Sequence, residues 1–189
     1  MSKKLKIFTP LLYLKLENKS LSAHTWGFPL VLALFISVIA LLLPENVNVY
    51  GDNGLIRSIN QLLSILVAFY IASLAAIATF KSDILDGKFS GEPMKLTVKR
   101  SGKKETEELN RRKFLCLLFA YCAFVAMTVF CIGELAVLLK GNVGAVITKA
   151  WVLEAAKFAF MFFYAFAISN LLSTTLLGLH YLADRIHRP

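Results

Sequence analysis

Charge is what this chain has least of. Asp, Glu, Lys and Arg make up 17% of its 189 residues, against about a quarter in an ordinary soluble domain. A soluble globular profile is therefore excluded, and the 57% hydrophobic content argues the same way. Histidine is scarcer still: His24, His180 and His187 stand apart from one another and from acids that would orient them. The sequence has no glycine-rich nucleotide loop, no His-Glu-x-x-His, no serine elbow and no paired carboxylates on one inward face. The expectation is a non-enzyme with no catalytic site, no metal and no cofactor. Only three cysteines are present, Cys116, Cys122 and Cys131, all in one apolar stretch. Their spacings match no metal or redox motif, so they read as small apolar residues rather than a disulfide scaffold.

What is abundant is apolar sequence in long runs. Four stretches, Trp26–Leu43, Ile59–Phe80, Phe114–Leu139 and Val152–Leu182, approach or exceed the length that a bilayer core demands. The predicted fold is an all-α integral membrane four-helix bundle, one domain over residues 26–189, preceded by an N-terminal segment, residues 1–25. Basic residues are distributed unevenly around the runs. Five lie before Trp26, ten in Lys81–Lys113 and two near the end, Arg185 and Arg188. The other two connections, Pro44–Gly54 and Lys140–Ala150, hold only Lys140 and Lys149. By the positive-inside rule both termini and the central loop are cytoplasmic. That rule and anionic lipid account for the net charge of +9, at about 1 kcal/mol per surface-proximal basic residue. Direct nucleic-acid binding is not expected, because acids are interspersed and no aromatic platform accompanies the basic residues.

The N-terminal segment is broken by Pro10, Lys15, Glu17 and Lys19, and so does not read as a signal peptide. Two readings remain for Lys3–Lys19: a disordered tail, or an interfacial segment dipping Ile7, Phe8, Leu11, Leu12, Leu14 and Leu16 toward lipid. In the central loop, Met94–Arg100 alternates as a strand and Ser101-Gly102 is a turn. Lys104–Lys113 reads as helix, continuing unbroken into the third span. Gly141-Asn142-Val143-Gly144 reads as a tight turn before the fourth.

Three constellations carry possible function. An outer polar cluster comprises Arg57, Asn60, Gln61, Glu134, Glu154 and Lys157. Ionisable groups at membrane depth call for a functional reading, and simple interfacial anchoring is its rival. Glu154 and Lys157 can satisfy each other at i, i+3; for Glu134, Arg57 is the natural candidate across helices. Small residues recur every four positions at Ser64, Ala68, Ala72 and Ala76, and again at Ala165, Ser169 and Ser173, with Asn170 beside them. Such stripes suit helix packing or self-association. With Thr174 and Thr175, the second set also admits a pore lining. Finally, Lys99, Arg100, Lys103, Lys104, Arg111, Arg112 and Lys113 form a basic loop surface suited to docking a cytosolic protein.

The layout resembles the KwaA family, the membrane component of the Kiwa anti-phage defence system. The likeness lies in Gly54-Leu-Ile-Arg57 leading to Phe69–Phe80, in Leu96-Thr-Val-Lys99, and in Arg111-Arg-Lys-Phe-Leu115 entering the third span. It implies a homo-oligomeric, tetrameric protein of the bacterial inner membrane that detects phage attack. Its implied partner is a cytosolic DNA-binding effector resembling KwaB. The rival classes are an ion-conducting or membrane-disrupting effector and an accessory subunit of a transporter.

Overall fold

The computed structural model describes residues 8–17, 23–42, 48–49, 51, 53–87, 89, 94–100, 103–146 and 149–185. The chain there is mostly helical: α1 (Phe28–Leu42), α2 (Leu55–Thr79), the single turn α3 (Asp83–Asp86), α4 (Arg111–Val146) and α5 (Ala150–His180). Helices α2, α4 and α5 are long and apolar enough to cross a membrane. Helix α1 has 15 residues, about 22 Å of rise, and a π-helical turn, Ala23–Gly27, leads into it. All four expose large apolar side chains, among them Phe35 and Val38 on α1 and Leu62 and Ile65 on α2. Leu135 and Leu138 on α4 and Phe163 and Leu176 on α5 do the same. Water would not tolerate so continuous an apolar exterior, and lipid would. The chain has the surface of a membrane protein.

Helix α2 lies along α4, α1 lies along α5, and α4 and α5 join the two pairs. The α2 seam repeats every seven residues, with Ile56, Leu63, Tyr70 and Ile77 all buried, the spacing of a helix that supercoils against its neighbour. They share one core with Phe114, Leu118, Cys122, Ala126 and Val129 of α4, and Tyr70 lies against Phe119 of that helix. Gly178 lets α5 come close to α4: a Cβ there would sit 2.8 Å from Leu118 and 3.2 Å from Phe119.

The central loop folds as a hairpin of β2 (Lys95–Arg100) and β3 (Lys103–Glu108), with β1 (Leu16–Glu17) pairing antiparallel on the other side of β2. The strand expected over Met94–Arg100 is present, while its turn, Ser101-Gly102, lies outside the described residues. The helix expected over Lys104–Lys113 is not: β3 takes its first half, and helix begins only at Arg111. Two interactions decide this. The Thr97 and Thr106 hydroxyls meet across the hairpin at 3.2 Å, a cross-strand pair that favours the ladder. Asn110 Oδ1 accepts from the Lys113 backbone N–H at 3.0 Å, which caps α4 and sets where it starts. Leu109, whose N–H donates to the Met94 carbonyl, closes the sheet onto the bundle.

Two further expectations change. Gly141–Gly144 is no turn, because α4 continues through it to Val146; the connection to α5 falls after that point. Residues Thr9–Lys15 form a 3₁₀-helix packed on α4, with Tyr13 fully buried. The segment does not trail away: Tyr13, Leu11 and Leu12 find apolar partners within the protein, while Phe8 and Leu14 stay exposed. Met1–Ile7 are outside the described residues.

Replacing Asn110 with Ala should cost about 1 kcal/mol of stability. Thermal unfolding of the detergent-solubilised protein will show a lowered midpoint, and an unchanged one would deny the cap its role.

Candidate functional site

One polar residue of α5, Asn170, answers a proline on α1. Pro29 has no N–H, so in a continuous helix the carbonyl four residues back, at Thr25, has no donor. The lead-in turn there is π-helical, and Asn170 Nδ2 donates to that Thr25 carbonyl at 2.6 Å. Asn170 Oδ1 in turn accepts from the Tyr121 hydroxyl at 2.6 Å. Tyr121 stacks on Tyr13 of the N-terminal segment, ring centroids 4.9 Å apart and planes 26° from parallel. One connected set thus joins the N-terminal segment, α4, α5 and the start of α1. Burial pushes the Tyr13 phenol up to about 12, so it stays protonated at physiological pH. Its hydroxyl lies near Thr25 and Thr174, with no well-formed hydrogen bond to either.

A second polar contact crosses from α2 to α5, where the Tyr70 and Thr175 hydroxyls are 2.5 Å apart. Thr175 and Thr174 also donate back to the Leu171 and Asn170 carbonyls of their own helix. Ala165, Ser169 and Ser173 are buried within the chain, as are Asn170, Thr174 and Thr175. The α2 stripe behaves oppositely: Ser64, Ala68, Ala72 and Ala76 all face outward. The two stripes, alike in sequence, therefore serve different surfaces.

The outer cluster divides in two. Asn60 is buried and donates to Glu134 Oε1 at 2.8 Å and to the Phe130 carbonyl at 3.4 Å. It accepts from the Tyr164 hydroxyl at 3.1 Å. Gly133 makes room, since a Cβ there would fall 2.7 Å from Asn60 Oδ1 and 2.9 Å from the Tyr164 hydroxyl. Glu134 thus accepts a hydrogen bond across helices from Asn60, one turn along α2 from Arg57. Arg57 and Gln61 are exposed. Glu154 and Lys157 pair at 2.8 Å as expected, on an exposed face. Among the described residues no group of three metal ligands forms.

At the hairpin end the basic residues also separate. Arg112 holds Asp86 with both Nε and Nη2, at 2.7 and 2.9 Å. Its Nη1 donates to the Ile77 and Phe80 carbonyls at 2.6 and 2.7 Å. One guanidinium thus caps the C-terminus of α2, where a cation is favoured, and clamps α3 beside it. Lys113 pairs with Glu107 of β3, and Arg111 is half-buried. The remaining four cations sit at the hairpin tip, where the register places Lys99 opposite Lys104 and Arg100 opposite Lys103. The side chains of these four lie outside the described part of the structure. Phe114 gathers Tyr13, Phe89 and Tyr181 around it, at centroid distances of 6.5, 5.6 and 5.1 Å.

Sequence reasoning missed Tyr13, Thr25, Tyr70 and Tyr121. One available signal was Pro29 inside an apolar run, which marks an orphan carbonyl at Thr25.

Asn170→Leu should destabilise the protein by about 1–3 kcal/mol, because the Thr25 carbonyl and the Tyr121 hydroxyl are left buried and unpaired. Pro29→Ala in the same chain restores an N–H near Thr25 and should recover part of the loss in a thermal melt; no recovery would refute the account. A separate effect concerns acid. The Arg112 guanidinium holds the Asp86 carboxyl below the usual carboxylate range. A depressed carboxylate contributes stability above its unfolded-state pKa and loses it as pH falls through the folded value. Acidification below about pH 4 should therefore loosen α3 in the wild type, and the Asp86→Asn variant should lack this step in a pH series of melts.

No protein-family model matches this chain, and no curated protein or solved structure is significantly similar to it.

Proposed function

We propose that the chain is a non-enzymatic scaffold and sensor of the bacterial inner membrane, crossing it four times with both termini and the hairpin in the cytoplasm. It self-associates through the outward α2 stripe, Ser64, Ala68, Ala72 and Ala76, and docks a cytosolic protein through its hairpin. The resemblance to the Kiwa membrane component makes that partner a DNA-binding effector resembling KwaB and the assembly a tetramer serving anti-phage defence. In this reading α1, extended by its π-helical turn, is the fourth span.

The observation that carries the docking reading is the strand register. It sets Lys99 against Lys104 and Arg100 against Lys103. Like charges directly opposite destabilise a hairpin, and an acidic partner surface relieves them. By contrast, Lys95 pairs with Glu108 at the hairpin base, Arg112 and Lys113 are engaged within the chain, and Arg111 is half-buried. The seven-residue basic surface is thereby narrowed to the four at the tip. The buried placement of Ser169, Asn170 and Ser173 favours a scaffold over a pore, since a conducting path would need them on a free face.

The test uses full-length tagged protein captured from its own host. Changing Lys99, Arg100, Lys103 and Lys104 to Gln should release the co-purifying effector without reducing the amount inserted. Retention of the partner by this variant rejects the docking face. A reporter fused at Gly102 should be active only in the cytoplasm; activity on the far side of the membrane would reverse the topology.

A further inference from the structure

The N-terminal segment touches both the three-stranded sheet and the joint between α1 and α5. At one end, Leu16 and Glu17 pair with Leu96 and Lys95 on the edge of β2. Leu96 is buried, so that edge is part of the core rather than a loose margin. At the other end, Tyr13 is 1% exposed and stacked on Tyr121, which holds Asn170 and through it the Thr25 carbonyl at the start of α1. The two ends are three residues apart, and one hydrogen bond locks the distance: the Leu16 N–H donates to the Tyr13 carbonyl. With so short and closed a turn between them, β1 cannot leave β2 without pulling on Tyr13.

We infer that residues 9–17 are a strap coupling the three-stranded sheet to the joint between α1 and α5. Seating of the sheet and closure of that joint are therefore one event. The pairing at the sheet end is only two residues long, which makes it the releasable end. At the joint, the contacts are short hydrogen bonds to a carbonyl that has lost its helical donor to Pro29. Anything that engages the sheet and displaces β1 would unseat Tyr13 and free Asn170 from Tyr121. The inference concerns contacts inside the chain and does not depend on which partner meets the hairpin.

Hydrogen–deuterium exchange of the full-length protein in detergent micelles tests this. Tyr13→Ala should raise exchange about tenfold or more, both at residues 95–97 and at residues 23–28, with residues 60–70 of α2 unchanged. Tyr13→Phe keeps the stacked ring and should behave as wild type at both places. The reciprocal variant, Leu96→Ala, is made at the sheet end of the strap and should raise exchange at residues 11–16 and 23–28, as linkage requires, with residues 60–70 again unchanged. If Leu96→Ala changes only the hairpin, or if Tyr13→Ala leaves either distant segment protected, the strap is two independent contacts and the inference fails. Should Tyr13→Ala loosen the whole bundle, Leu96→Ala alone decides.

Discussion

A backbone carbonyl that a helix leaves without a donor is the constraint that organises this protein. Each such group costs several kcal/mol in lipid, so every break in a helix must be met by a side chain. The break at Pro29 is met by Asn170, and the end of α2 is met by Arg112. Both donors come from elements far away in sequence, and each therefore fixes a helix pair while it satisfies a carbonyl. The same residues then have acceptors and charges of their own, which draw in Tyr121 and Asp86. Much of the polar interior follows from those two repairs.

The apolar helices were legible from the sequence because run length and charge placement are strong, local signals. Three of the four expected spans are helices of spanning length, and the strand before Ser101 lies where alternation placed it. The misreadings share a cause. Lys104–Lys113 carries acids followed by bases, which suits a helix as well as a hairpin strand facing water. The cross-strand threonine pair and the Asn110 cap that decide between them depend on spatial neighbours. Gly141–Gly144 looks like a turn by composition, yet Gly within a helix costs only about 1 kcal/mol against Ala, and α4 continues through it. Tyr13 was illegible because its burial depends on a ring 108 positions along the chain.

The functional residues were legible as types and not as roles. Seven loop cations look equivalent in one dimension. In three, Arg112 and Lys113 hold the chain together, Arg111 is half-buried, and the register sets the other four in opposed pairs at the hairpin tip. The two small-residue stripes divide in the same manner, one buried against a neighbouring helix and one turned outward. Spacing identifies a helix face but not what covers it.

Helix α4 packs against α2, α5 and the N-terminal segment, and at 36 residues it is about 54 Å long. A rod of that length is a lever. Tilting it by roughly 5° about one end swings the other by roughly 5 Å, close to one helical turn. The Asn60–Glu134 contact sits toward one end and the hairpin is attached at the other. Glu134 lies about 35 Å along the helix from Arg111, so the same angular play there shifts the attached strands by roughly 3 Å, more than half the spacing between two of them.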